Sequence, residues 1–169
     1  MIISIEKLRE FVPSATSMSD TELQARLEAL ETLIRKYTNN NFQKRNFRVY
    51  GDIQSGSLSF DKTFFKNGDT FEISNSKYND GVYVVGEEPE MYDEQDVMIT
   101  KVVYPSDVVM GAVNLFKWDI EHRDKIGVKS ETLSRYSVSY YDMESGNNSA
   151  GGFPKGLMSF LTPYMKAKF

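Results

Sequence analysis

Hydrophobic residues near the start of the chain recur at helical spacing. They follow the capping-box sequence Ser19-Asp20-Thr21-Glu22, in which the serine oxygen accepts from a first-turn amide and the glutamate reaches back. The pattern forms one stripe of Leu23, Leu27, Leu30, Ile34 and Tyr37. Asparagine tolerates the left-handed conformation at a helix C-terminus, so Asn39-Asn40-Asn41 ends the pattern. The sequence predicts a helix from Ser19 to Asn39, and a shorter one from Ser4 to Val12 that Pro13 stops.

After this helix the pattern changes to short β-prone runs separated by turn residues. The predicted strands are Phe47 to Tyr50, Thr70 to Ile73, Val82 to Val85 and Val97 to Val103. Two of them follow tight-turn signals, Asn67-Gly68-Asp69 and Asn79-Asp80-Gly81. Four or more strands of this length indicate a small β-barrel or β-sandwich at 43–104, inserted between helices.

The rest of the chain returns to helical spacing. A helix from Ser106 to Arg123 is predicted after Pro105, and a last one from Pro154 to Lys166, which Pro163 should kink or end. The expected apolar face of the Ser106 helix is Val109, Ala112, Val113, Phe116 and Ile120. The predicted fold class is therefore α+β, with a small helical bundle formed by 1–42 and 105–169 around the inserted β-rich subdomain.

Composition narrows the possible functions. Among 169 residues there is no cysteine, which excludes disulfides, thiolate metal sites and cysteine nucleophiles. The only histidine, His122, lies at a charged helix end and has no nucleophile motif near it in the sequence. The glycines match no phosphate-binding loop. We therefore expect a protein that is not an enzyme and has no cofactor and no metal.

The distribution of charge in the sequence indicates which kinds of partner the protein could bind. A formal charge of −4 argues against wrapping nucleic acid, which needs clustered Lys and Arg, although a channel through which DNA slides is compatible with it. Acidic residues cluster at 87–90 and 93–96, without calcium-loop spacing, and indicate a solvated loop or one that faces a basic partner surface. Neither a signal peptide nor a membrane-length apolar run is evident, so we expect a protein made in the cytoplasm and not inserted in a membrane.

The segment from Gly127 to Tyr141 carries the strongest signal of function. It begins Gly127-Val128-Lys129-Ser130-Glu131 and continues to Tyr136-Ser137-Val138-Ser139-Tyr140, an extended polar pattern with alternating faces. This sequence motif resembles a signature of the head–tail connector (adaptor, or head completion) proteins of long-tailed bacteriophages. Two more segments resemble that family in the same order, and they are Lys36-Tyr37-Thr38-Asn39-Asn40-Asn41-Phe42 and Phe153 to Tyr164.

The resemblance implies a structural virion protein rather than a catalyst. Members of this family form a typically dodecameric ring beneath the portal protein, contact neighbouring copies of themselves and join the DNA-filled head to the tail. The implied location is the neck of the virion, after synthesis in the host cytoplasm. A downstream neck or tail-completion protein would attach below, and double-stranded DNA would pass through the channel without sequence-specific binding. The long β-rich stretch is a departure from simple members, which have a shorter connection there.

Two sets of residues are assigned to contacts under this interpretation. The subunit–subunit interface is assigned to Ser130, Glu131, Tyr136, Val138 and Tyr140, on the extended aromatic segment. Portal docking, or the packing that positions it, is assigned to Leu157, Phe160, Leu161 and Tyr164. The alternative is another neck or tail-completion component, or a ligand-binding β-module with no role in a ring.

Overall fold

The computed structural model describes residues 1–87, 89–122 and 151–167 in full, and only the backbone of the strands at 130–133, 136–139 and 149–150. It has the expected mixed α+β architecture. The chain divides into two compact units, each treated by itself below. We call Met1–Ile2 with Asn40–Tyr104 the β unit, and Ile3–Asn39 with Pro105–Phe169 the helical unit.

The helical unit contains four α-helices among the described residues. They are α1 at Ile5–Phe11, α2 at Asp20–Thr38, α3 at Ser106–His122 and α4 at Lys155–Met158. Short 3₁₀ turns follow α1 at Pro13–Ser17 and α4 at Ser159–Tyr164. The Ser19 hydroxyl caps α2 by accepting from the Glu22 amide at 3.2 Å, and Asn39 ends it in the left-handed conformation at φ 49°. Both ends of α2 therefore lie within one residue of the predicted ones.

The core of the helical unit uses the predicted stripe of α2. Leu23, Leu27, Leu30 and Ile34 are all buried, and α2 contacts α3. The buried face of α3 agrees with the expected one at Ala112, Val113 and Phe116 and differs at two other positions. Val108 and Leu115 are fully buried, whereas Val109 and Ile120, which were expected on the core face, remain half exposed.

The last predicted helix is shorter than expected. It is α-helical only over Lys155–Met158 and continues as the 3₁₀ turn Ser159–Tyr164, with Pro163 inside that turn. Proline has no N–H, and in an α-helix its ring would collide with the carbonyl of the residue four positions earlier. The α-helix therefore ends before Pro163.

The β unit is built around one antiparallel sheet. Its strands are β1 at Gln43–Gln54, β2 at Ser57–Phe60, β3 at Thr70–Ser74, β4 at Gly81–Val84 and β5 at Glu94–Val102. They lie in the order β2-β1-β5-β3-β4. The sheet curls into a half-barrel over a core of Ile53, Phe65, Phe71, Ile73, Val85, Val97 and Ile99.

The half-barrel corrects the expectation of a small β-barrel or β-sandwich. Among the strands described, β2 and β4 are the ends of the order and do not pair with each other, so the sheet stays open. Its curl has a local cause in β1. Gly51 lies opposite Phe60 on one side and Val97 on the other, and the pairing with β5 shifts register between Gly51 and Ile53. A missing side chain and a bulge together let a strand bend sharply.

Four further short strands belong to the helical unit. β6 at Ser130–Leu133 and β7 at Tyr136–Ser139 form one antiparallel pair, and β8 at Ser149–Ala150 and β9 at Phe153–Pro154 form another.

Candidate interaction surfaces

The residues assigned to a subunit contact lie largely in one antiparallel pair. Ser130 and Glu131 are in β6, Tyr136 and Val138 are in β7, and Glu131 stands directly opposite Val138. Cross-strand neighbours of this kind have Cβ atoms about 5 Å apart. The backbone therefore brings these four assigned residues into one small sheet. Tyr140 lies outside the described residues.

The residues assigned to portal docking divide into buried and half-exposed positions. Leu161 is fully buried, so its side chain belongs to the core of the helical unit instead of a docking surface. Phe160 is half buried and packs against α3 at Gly111, where an added Cβ would lie 2.3 Å from the ring. Leu157 and Tyr164 are half exposed. Leu157, Phe160 and Tyr164 therefore keep accessible surface, whereas Leu161 has none.

Hydrogen bonds hold the C-terminal segment to the rest of the helical unit. The Tyr164 hydroxyl donates to both carboxylate oxygens of Asp107 at 2.8 Å. This hydrogen bond to a carboxylate raises the pKa of Tyr164 above its usual value. The backbone N–H of Lys166 donates to the Thr38 carbonyl at 2.8 Å, and the Asn39 side chain donates to the Ala167 carbonyl at 2.8 Å. The chain end is thereby fixed to the end of α2.

A groove in the β unit was not expected from the sequence. It has a volume of about 890 Å³, and residues of both β2 and β4 line it. Its apolar surface comes from Leu58, Phe60, Phe71, Val85 and Met91. We call this cavity the half-barrel groove. Its volume is within the range of sites for drug-sized ligands.

Two exposed tyrosines stand beside each other in the β unit. Tyr78 is 57% exposed and Tyr92 is 69% exposed, and their ring centroids are 5.7 Å apart. Tyr92 also lines the half-barrel groove. Large exposed aromatic side chains are common anchors of protein interfaces.

A hydrogen-bond network fixes the backbone under these tyrosines. The side chain of Asn79, which is only 3% exposed, donates to the Tyr92 carbonyl at 3.0 Å and accepts from the Tyr92 amide at 2.8 Å. The Glu94 carboxylate accepts from the Ser76 hydroxyl, from the Lys77 amide at 2.8 Å and from Asn79 at 3.0 Å. The two loops that carry the tyrosines are thus tied together through Asn79 and Glu94.

Replacing Glu94 with glutamine should weaken the β unit in a pH-dependent way. Hydrogen bonds, first from the Ser76 hydroxyl and then from the Lys77 amide, lower the pKa of Glu94 below its ordinary 4.5. A carboxylate whose pKa is lower in the folded than in the unfolded state stabilises the protein at pH values above its unfolded-state pKa. That stabilisation is lost as the pH falls through the folded-state pKa. The melting temperature of Glu94→Gln should therefore fall most below wild type at neutral pH, and the gap should narrow below about pH 4.

The matched control is Glu90→Gln, at an exposed position in the same acidic stretch. The measurement is a set of melting curves, followed by circular dichroism, at pH values from about 7 to about 3. This range lies on both sides of the ordinary pKa of a carboxylate. An equal deficit at all pH values would contradict a stabilising role for the ionised Glu94 carboxylate.

His122 is half buried at the end of α3 and stacks on Trp118, with ring centroids 5.5 Å apart. Within the ranges that the structure describes, no three His, Asp or Glu side chains group in a way that could hold a metal ion. No helix there is long and apolar enough to cross a membrane.

Comparison with known proteins adds no assignment: no protein-family model matches this chain, and no curated protein matches it.

Proposed function

We propose that this protein is a head–tail connector of a long-tailed bacteriophage, forming a ring under the portal that joins the filled head to the tail. The observation that carries the proposal is the presence of three family-like segments in order along the chain. The first and third of these segments lie close together, since α2 contacts the turn Ser159–Tyr164. Thr38 and Asn39 also bond to Lys166 and Ala167, just beyond the third segment. A shared connector-like bundle would explain why distant segments resemble one family together.

The pair β6–β7 supports the assignment of the subunit contact. Among the strands described, these two pair only with each other. An isolated two-stranded hairpin is marginally stable in water, and its free edges can accept a further strand. A neighbouring subunit would supply that partner in a ring, where each subunit presents two different surfaces. Ser130, Glu131, Tyr136, Val138 and Tyr140 remain the proposed contact on this basis.

The proposed mechanism contains no catalysis. The C-terminal segment, with Leu157, Phe160 and Tyr164 at or near its surface, is the proposed portal-docking element, and buried Leu161 supports it. DNA would pass through the ring. A net charge of −4 is compatible with a channel through which DNA slides. Strong phosphate binding, which would hold the DNA back, needs clustered cations. The downstream neck or tail-completion protein would attach to the opposite side.

Deleting the gene in its own genome tests the proposal. The expected products are DNA-filled heads and separate tails, seen by electron microscopy, with infectivity restored by the wild-type gene supplied in trans. Portal and major capsid genes should lie just upstream. Tailed, infectious particles from the deletion would overturn the connector role.

A point variant separates assembly from folding. Tyr136→Ala, supplied in trans, should fail to restore joined particles, because loss of a buried aromatic anchor costs about 2 kcal/mol per contact and the loss repeats around a ring. Its melting temperature should match wild type. Tyr50→Ala, at a 63% exposed position in β1, is the control and should restore assembly. Normal assembly by Tyr136→Ala would contradict the interface assignment.

The half-barrel groove favours a second candidate, a binding module with no role in a ring. Its volume and the tyrosine beside it are typical of a site that recognises a partner. The gene deletion distinguishes the two candidates, since loss of a binding module would leave heads and tails joined.

A further inference from the structure

We infer that the half-barrel groove is a docking site for an extended, basic segment of a partner protein, which lies between β2 and β4 as an added strand. The inference concerns the β unit alone and does not depend on the ring role.

The first argument is the position of the sheet edges. β2 and β4 are the two ends of the strand order, and both line the same groove. Strand edges present rows of backbone N–H and C=O groups that pair readily with another chain. A segment lying in this groove would therefore meet the β2 edge along Ser57–Phe60 and the end of the β4 edge at Val84.

The register of β2 shows which backbone groups face the groove edge. Ser55 and Gly56 form a two-residue turn with φ values of 52° and 75°, as in a type I′ hairpin. In such a hairpin the flanking pair Gln54↔Ser57 shares hydrogen bonds, and the pairing alternates along the strands. The N–H and C=O groups of Leu58 and Phe60 therefore point away from β1, toward the free edge.

The groove surface suits alternate apolar side chains of such a segment. Leu58, Phe60 and Met91 are only partly buried and pack against the core of the β unit. The Phe60 ring lies edge-on to Phe65, with centroids 5.2 Å apart. Because successive side chains of a strand point to opposite faces, every second residue of the bound segment would contact this surface.

Charge identifies the occupant as basic. Between Lys77 and Lys101 the sequence has no Lys or Arg and seven acidic residues, which are Asp80, Glu87, Glu88, Glu90, Asp93, Glu94 and Asp96. Glu87 and Glu90 line the groove, and among the described residues Lys62 is the one basic residue in its lining. Charges at a rim increase association rate and specificity more than affinity.

The charge asymmetry also disfavours a second copy of the β unit as occupant. Residues 40–104 contain seven basic and eleven acidic residues, so the whole net charge of −4 falls there, while the remaining residues balance. Two β units would repel each other at this surface. Tyr92, fixed by Asn79 at the groove lining, offers its ring to a Lys or Arg of the segment.

The test uses the full chain and a labelled heptapeptide of alternating lysine and valine, Lys-Val-Lys-Val-Lys-Val-Lys. Fluorescence anisotropy should show saturable binding that weakens as salt rises from about 0.05 M to about 0.5 M. Amide NMR shifts should concentrate at Leu58, Phe60 and the residues after β4. Two matched peptides serve as controls: one replaces lysine with glutamate, and the other carries N-methyl groups on the valines, which removes one hydrogen-bonding edge.

Protein variants make the charge argument specific. The double variant Glu87→Gln, Glu90→Gln should bind the lysine–valine peptide about fivefold more weakly, as expected for the loss of two exposed charge pairs. Glu10→Gln with Glu28→Gln changes the net charge equally at exposed positions of α1 and α2 and should leave binding unchanged. Equal binding of the glutamate peptide, equal binding of the N-methylated peptide, or amide shifts confined to the helical unit would each overturn the inference. Dimerisation through the groove, detected by analytical ultracentrifugation and blocked by the peptide, would overturn it in favour of a second copy.

Discussion

Replacing Gly51 with alanine should unfold much of the β unit. A Cβ at this position would lie 2.6 Å from the backbone oxygen of Ser59 and 2.8 Å from the Phe60 Cβ. Neither atom is at the end of a flexible side chain, so the strands β1 and β2 would have to separate. Overpacking a well-packed site costs 1–3 kcal/mol and sometimes more, and we expect about 3 kcal/mol here. Urea denaturation followed by amide NMR signals of β1 and β2 gives the measurement.

Ser59→Ala is the matched control, because the Ser59 side chain is exposed while its backbone oxygen is the atom that the new Cβ would meet. It should change stability by less than about 0.5 kcal/mol. A Gly51→Ala protein as stable as wild type would show that β1 and β2 can move apart freely. In that case the sharp curl of β1 would not depend on a glycine at this position.

Gly111→Ala should destabilise the helical unit although alanine is the better helix former. In an ordinary helix interior this change stabilises by about 0.5–1 kcal/mol. Here the new Cβ would lie within 2.5 Å of three atoms of the Phe160 ring. Displacing that ring should cost about 2 kcal/mol and release the segment proposed to dock the portal.

A double-mutant cycle with Phe160→Ala tests this contact. In the Phe160→Ala background the clash is gone, so Gly111→Ala should become stabilising, and the sign of its effect should invert. Asn114→Ala, at an exposed position of α3, should be neutral or slightly stabilising in both backgrounds. An effect of Gly111→Ala that is the same in both backgrounds would contradict the packing of Phe160 on α3.

Local signals explain which helices could be predicted from the sequence. The ends of α2 depend on Ser19 and Asn39, whose capping chemistry is independent of the rest of the fold. The core face of α3 depends on its neighbours instead. The predicted core positions Ala112, Val113 and Phe116 are buried. Val109 and Ile120 are not, and Val108 and Leu115 are buried in their place, with Gly111 accommodating Phe160. A periodic pattern alone cannot identify which of two overlapping apolar stripes meets the core.

The sheet could be predicted as a set of strands but not as a half-barrel. β2 is absent from the predicted strands, although Ser57-Leu58-Ser59-Phe60 alternates strictly and follows the turn at Ser55 and Gly56. Strand order is a non-local property, and β1 pairs with β5 across some fifty residues of chain, as Tyr50↔Met98 illustrates. The curl depends on Gly51 and a register shift that only pairing reveals.

The candidate surfaces were predictable in different degrees. The alternating pattern of 130–139 indicated an extended segment, and the backbone there forms β6 and β7. The acidic stretch was already compatible with a basic partner. The half-barrel groove beside the acidic stretch could not be predicted from the sequence, because β2 and β4 line one cavity only once the sheet has folded. Tyr78 and Tyr92 meet because Asn79 joins their loops, and no spacing in the sequence shows that contact.

The way β1 and β5 pair has a mechanical consequence. Gln43 and Val102, the residues where the chain enters and leaves the sheet, are partners at one end of the ladder. Tension applied between α2 and α3 would therefore load that end first and peel the two strands apart one rung at a time, rather than shear many hydrogen bonds together. The ladder next resumes only at Arg48 and Thr100, so its first rungs are sparse. Under load the inserted sheet would open from its base at low force and lengthen the chain gradually, as an extensible link.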